Sequence, residues 1–100
     1  MDRNESHTII SRVWEWEGKG SWHFATINKE DSKRIRADYI WPRKGFGSIP
    51  VLATVGATKW KTSVFPTKEK EFLLPIKRIV RERENISIGD TITIKLTVIT

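Results

Sequence analysis

The stretch LPIKRIVRERENISIGDTITI, residues 74–94, reads as a strand end, a proline, a short basic helix, an asparagine, a Gly-Asp turn and an alternating strand. Pro75 suits the first helical position, where its missing N–H costs nothing. Ile76, Ile79 and Val80 share one helical face, with Lys77, Arg78, Arg81 and Arg83 around the rest. The turn Ile88-Gly89-Asp90 leads into a last strand, Thr91 to Ile99, whose inner face is Ile92, Ile94, Leu96 and Val98. A looser copy lies upstream: a strand from Trp22 to Ile27, a helix, Gly45 and Gly47, then a strand from Ile49 to Val55. Two strand–helix–glycine–strand units in 100 residues predict a small, mainly β barrel made by pseudo-duplication. About six strands and two short capping helices are expected.

The remaining segments fit that frame. Residues 1–7 are polar and without period, and are expected as a flexible tail ahead of a single barrel domain over 8–100. From Thr8 to Glu17 residues alternate between Ile10, Arg12, Trp14, Trp16 and Ile9, Ser11, Val13, which is the period of a strand. Gly18 to Ser21 form a short turn, so the strand from Trp22 to Ile27 is its hairpin partner. Asn28 is a good N-cap, and Glu30 and Asp31 fall in a first turn where the helix dipole favours negative charge. That helix is expected to run to about Tyr39 and to offer Ile35, Tyr39 and Ile40 to the core, with Pro42 ending it. Gly56-Ala57 connects the third strand to a fourth, Thr58 to Phe65, and a fifth follows from Glu71 to Leu74.

Composition narrows the function classes. The chain has no Cys, which removes disulfides, thiolate metal sites and Cys nucleophiles. It shows no apolar run of signal-peptide type and none of the roughly 18 residues a membrane helix requires. A cytoplasmic protein without membrane partner is the expectation. The net charge of +6 is uneven. Residues 1–31 carry four basic and six acidic side chains, giving −2, and residues 32–100 carry fourteen and six, giving +8. Such an excess favours an anionic partner, nucleic acid among them, although a solvated basic surface has the same composition.

A run of motifs in order resembles one known family. They are Trp14-Glu15-Trp16, Gly18-Lys19-Gly20-Ser21-Trp22-His23-Phe24, Gly45-Phe46-Gly47-Ser48, Trp60-Lys61-Thr62-Ser63-Val64-Phe65-Pro66, Leu74-Pro75-Ile76-Lys77 and Gly89-Asp90-Thr91. Together they are similar to the domain-of-unknown-function family nineteen-oh-five, a family of small bacterial barrels, over about residues 8–99. The resemblance implies a double-split, swapped-hairpin-like β-barrel capped by short helices. It also implies a distant relation to the swapped-hairpin transcription factors and antitoxins, with both hairpin units here on one chain. The family has no established activity, so the resemblance supplies architecture and not chemistry.

The candidate site residues are therefore read from the sequence itself. If Trp60, Thr62 and Val64 face inward, Lys61 and Ser63 project together on the other side of their strand. A Lys beside a hydroxyl can bind a phosphate or carboxylate; the plainer alternative is a solvated strand face. Arg43 and Lys44 belong to a basic loop, Arg43-Lys44-Gly45-Phe46-Gly47, whose Phe can stack on a base or tuck into the barrel end. Its glycines lack the spacing of a phosphate-cradling loop. Arg81 lies on the second helix, where Lys77, Arg78 and Arg83 add charge and Glu82 and Glu84 dilute it. Lys61, Ser63, Arg43, Lys44 and Arg81 are the expected ligand-binding set. No catalytic residue, metal or cofactor is expected: His7 and His23 have no close carboxylate spacing, Ser63 has no nucleophile-elbow context, and Asp90 suits turn closure. His23 is expected on the outer face of strand two, and Trp14, Trp16, Trp22 and Trp41 in the core or at a barrel end. The reading is a non-enzymatic module for an anionic ligand, with nucleic-acid binding as the first alternative and a small-molecule enzyme as the second.

Overall fold

A computed structural model of the chain describes residues 6–18, 20–39 and 47–99. Its elements are β1 (His7–Glu15), β2 (His23–Ile27), α1 (Lys29–Asp38), β3 (Ile49–Val55), β4 (Thr58–Pro66), β5 (Phe72–Pro75), α2 (Arg78–Glu84) and β6 (Thr91–Val98). The strands close into an antiparallel barrel in the order β1-β2-β5-β4-β3-β6. Closure pairs every edge and removes the exposed ladders that invite aggregation. Inner positions alternate as the pleat demands: Ile9 and Val13 on β1, Ala25 and Ile27 on β2, Val51, Ala53 and Val55 on β3, Leu74 on β5. On β6 the four expected residues Ile92, Ile94, Leu96 and Val98 are inside and Lys95 is exposed.

The pairing pattern contains the pseudo-duplication. Exchanging β1 with β4, β2 with β5 and β3 with β6 leaves every pairing of the ring in place. The axis passes through the β2–β5 and β3–β6 pairs, both antiparallel. Because β2 and β5 run in opposite directions, α1 and α2 leave the barrel at opposite ends. Side-chain contacts obey the same exchange. His7, first residue of β1, bonds Asp38, last residue of α1, at 2.6 Å. Thr58, first residue of β4, donates its hydroxyl to Glu84, last residue of α2, at 2.5 Å.

Local chemistry explains where the elements stop. The Asn28 side chain accepts the Asp31 N–H at 2.8 Å, the expected N-cap of α1. Asn85 ends α2 with φ 56°, and Ile86 N–H bonds Arg81 O at 2.9 Å, which closes the last turn. Asp90 closes the turn before β6: its carboxylate accepts the Ser87 N–H at 2.8 Å. Between β3 and β4, Gly56 has φ 58° and Ala57 does not share that region, the pattern of a type II′ hairpin turn. A Cβ on Gly56 would meet the Glu84 carboxylate. Gly56→Ala is therefore expected to cost about 1–2 kcal/mol from the left-handed backbone alone, plus the loss of the Thr58–Glu84 bond. Urea unfolding checks this, and an unchanged midpoint would contradict the turn geometry.

Several boundaries and orientations differ from the sequence reading. β1 begins at His7, inside the stretch expected as tail, and Ser6 is hydrogen-bonded to Thr97 at 2.8 Å. β1 stops at Glu15 and β2 starts at His23, so Trp16 and Trp22 stand in the turn. Pro75 is the last residue of β5 and not the first of α2. It faces Phe24 across the ladder, while the flanking Ile76 N–H bonds His23 O at 2.8 Å. Pro75 thus sits at a pair where the ladder asks for no N–H. Helix α2 starts later, at Arg78, so Ile76 is buried ahead of it, Val80 is its buried residue and Ile79 is 50% exposed. His23 is inside, not on the outer face, and Trp14, Trp16 and Trp22 are outside the core. Ile40, Trp41, Pro42 and the loop with Arg43, Lys44, Gly45 and Phe46 lie outside the described residues. No helix among the described residues is long and apolar enough to cross a membrane.

Candidate anion-binding pocket

Where β2 begins and β5 ends, two polar side chains meet in the barrel mouth. The residues of β2 divide into His23, Ala25 and Ile27 on the buried side and Phe24 and Thr26 on the other. His23 is the polar member of the buried set, 9% exposed. Ser21, with φ 49°, turns the chain into the strand and presents its carbonyl to His23 Nδ1 at 2.8 Å. A carbonyl only accepts, so Nδ1 carries the proton and Nε2 is left as an acceptor. Arg81 Nη1 donates to that Nε2 at 3.2 Å.

Arg81 is itself held from a second side. Its Nε donates to Ile76 O at 3.1 Å, just before α2 begins. Ser32 of α1 has the equivalent place around the pseudo-two-fold: it follows Ile27 by five residues, as Arg81 follows Ile76. Ser32 Oγ donates to Ile27 O at 2.9 Å and accepts the Phe72 N–H at 2.9 Å. One end of the barrel is thus sealed by a small buried hydroxyl. The other end receives a guanidinium.

Around that guanidinium lies a cleft of about 520 Å³, lined by Gly20, Ser21, Trp22, His23, Pro75, Ile76, Lys77, Arg78 and Arg81. Arg78 is paired with Glu82 at 3.1 Å. No carboxylate among the described residues pairs with Arg81 or Lys77. Two bonds fix Arg81 in a half-buried position, and a guanidinium held in this way loses less entropy on meeting a planar or tetrahedral anion.

The family comparison adds to this geometry. The family model described as a domain of unknown function, DUF1905, matches residues 10–96. The chain belongs to this family. No curated protein and no solved structure matches it. In this DUF1905 domain, of the five expected site residues, Arg81 lines the cleft. Lys61 and Ser63 share the outer face of β4, opposite Leu52 and Pro50 of β3, and are not part of the cleft lining. Arg43 and Lys44 lie outside the described residues.

Sequence reasoning passed over His23, Ser21 and Trp22. The signal was present: His23, Ala25 and Ile27 form one strand face and Trp22, Phe24 and Thr26 the other. His23 was expected on the outer face and Trp22 in the core or at a barrel end. The structure buries His23, and this barrel fills its interior mainly with aliphatic side chains, Phe72 and Trp60 apart, and carries much of its aromatic surface outside.

Proposed function

We propose that this protein is a non-enzymatic binding module that recognises an anionic group in the Arg81–His23 cleft. The observation that carries the reading is Arg81: a guanidinium fixed by Ile76 O and His23 Nε2, without a carboxylate partner among the described residues. Lys77 lines the same cleft and reinforces its positive potential, while the charge of Arg78 is offset by Glu82. The positive balance of residues 32–100 supports it further. His23 acts as a positioning acceptor: with Nε on Ile76 O and Nη1 on His23 Nε2, Arg81 Nη2 is left for the ligand.

Calorimetric titration with inorganic pyrophosphate tests the reading. Arg81→Ala is expected to weaken binding by about ten- to a hundredfold, the equivalent of about 1.5–3 kcal/mol for a charge-assisted hydrogen bond. Arg81→Lys should recover part of the loss, since it keeps the charge and loses the fork. Lys61→Ala, on the outer face of β4, should bind as the wild type does. Equal affinity of wild type and Arg81→Ala would refute the cleft, and a loss in Lys61→Ala alone would assign the anion to the Lys61–Ser63 face.

A further inference from the structure

A second basic cleft lies at the far end of the β2–β5 ladder, and the outer face between the two clefts is aromatic. Ser21 and Lys70 each stand two residues ahead of a strand, β2 and β5, with φ 49° and 65°. The turns before them close alike: Trp16 N–H bonds Trp22 O at 2.8 Å, and Thr67 N–H bonds Glu71 O at 2.8 Å. Lys70 therefore takes, at the far end of the β2–β5 ladder, the place Ser21 takes beside Arg81. With Lys33, Arg36, Pro66 and Thr67 it lines a cleft of about 600 Å³. No carboxylate among the described residues pairs with Lys33, Arg36 or Lys70.

The face between them is a shallow apolar depression of about 440 Å³ lined by Trp14, Trp16, Trp22, Phe24, Phe65 and Leu73. Trp22 stacks on Phe24 with centroids 6.1 Å apart and planes at 10°, and Trp14 packs against Phe24 at 5.3 Å. Trp16 and Trp22 are each 52% exposed. Trp22 borders both the Arg81 cleft and this face, and Phe65 precedes Pro66 of the second cleft. The aromatic face thus adjoins the first cleft through Trp22 and the second through the Phe65–Pro66 step. The ladder from His23 to Ile27 makes the span about 13 Å long at roughly 3.3 Å per residue, the rise of about four stacked nucleotides.

Exposed aromatic rings of this number mark an interaction surface. An acidic peptide would use the cations and leave the flat rings without stacking partners. A second copy of the chain would bring like charges together at both ends. A strand of bases and phosphates matches both features, because rings stack on bases and cations hold the backbone. We propose that this face binds single-stranded nucleic acid, with phosphates in the two clefts and bases stacked on Trp22, Phe24 and their neighbours. The proposal rests on the anion reading of the Arg81 cleft and extends it to the class of ligand.

Intrinsic tryptophan fluorescence of the full chain, titrated with (dT)2, (dT)8, (rU)8, an octaglutamate peptide and pyrophosphate, tests it. An octanucleotide should bind at least tenfold tighter than (dT)2, because it alone reaches both clefts. Its affinity should fall about fiftyfold between 50 and 200 mM salt if about four phosphates are neutralised. Trp22→Ala, and the pair Lys33→Ala with Lys70→Gly, should each weaken octanucleotide binding about tenfold while circular dichroism stays that of the wild type; Gly suits the positive φ at position 70. Octaglutamate binding as tightly as (dT)8, or tryptophan burial by self-association without ligand, would overturn the proposal. If pyrophosphate binds in an Arg81-dependent way and (dT)8 binds no tighter than (dT)2, the strand path fails and the cleft stands. If neither binds, both fail.

Discussion

Ile94→Ala should lower the unfolding free energy by about 2–5 kcal/mol, the range for removing a buried aliphatic side chain that leaves a cavity. Ile94 is fully buried on β6, opposite Ile9 of β1. β6 is paired on both sides, with β1 and β3, so its backbone has little freedom to collapse into the space. Such a loss is a large share of the stability of a small domain. Lys95→Ala, one residue on and exposed, should change stability by no more than about 0.5 kcal/mol. The contrast between neighbours reads out the pleat directly, since a one-residue slip would invert it. Equilibrium urea unfolding gives both numbers, and a loss below about 1 kcal/mol at Ile94 would be incompatible with this register.

Ser32→Ala should cost about 2–4 kcal/mol, since it orphans two buried backbone groups at roughly 1–3 kcal/mol each with some relaxation. Ser32 is fully buried, and its single hydroxyl bonds Ile27 O on β2 and the Phe72 N–H on β5, both at 2.9 Å. The effect has a local signature besides the global one. Amide exchange at Phe72 should accelerate relative to Leu74, which lies deeper on the same strand. Stability within about 0.5 kcal/mol of the wild type, with Phe72 exchange unchanged, would show that Ser32 does not pin the helix.

Much of this fold was legible because its strands are half-buried and obey a period of two. β6 and β3 followed from alternation alone, and Asn28 and Asp90 were recognisable as cap and turn residues from their chemistry. Pro75 was misplaced for a physical reason: a non-hydrogen-bonded ladder position and a helix N1 position are equally indifferent to a missing N–H. The aromatic residues misled in a second way. Trp14, Trp16 and Trp22 read as core or barrel-end residues by their apolar area; Trp16 and Trp22 stand in the turn between β1 and β2, and the barrel interior is completed by Ile, Val, Leu and Ala together with Phe72 and Trp60. The Arg81 cleft was half legible. Arg81 stood out as a cation, but its acceptor His23 opens a strand far away in sequence, and only the β2–β5 pair brings the two together. The Ser32–Arg81 equivalence was hidden because the two side chains share a position and not a chemistry.

The Arg81 side-chain Nε–Hε resonance, followed by proton–nitrogen NMR during titration with pyrophosphate and then with (dT)8, reports whether an anion enters the cleft. A saturable shift of that resonance is expected with either ligand, accompanied by shifts at Trp22 and His23. With (dT)8 alone, further shifts should extend through Phe24 and Leu73 to Lys70. A titration that leaves the Arg81 resonance in place while shifts gather at Lys61 and Ser63, or nowhere, would contradict anion binding in this cleft.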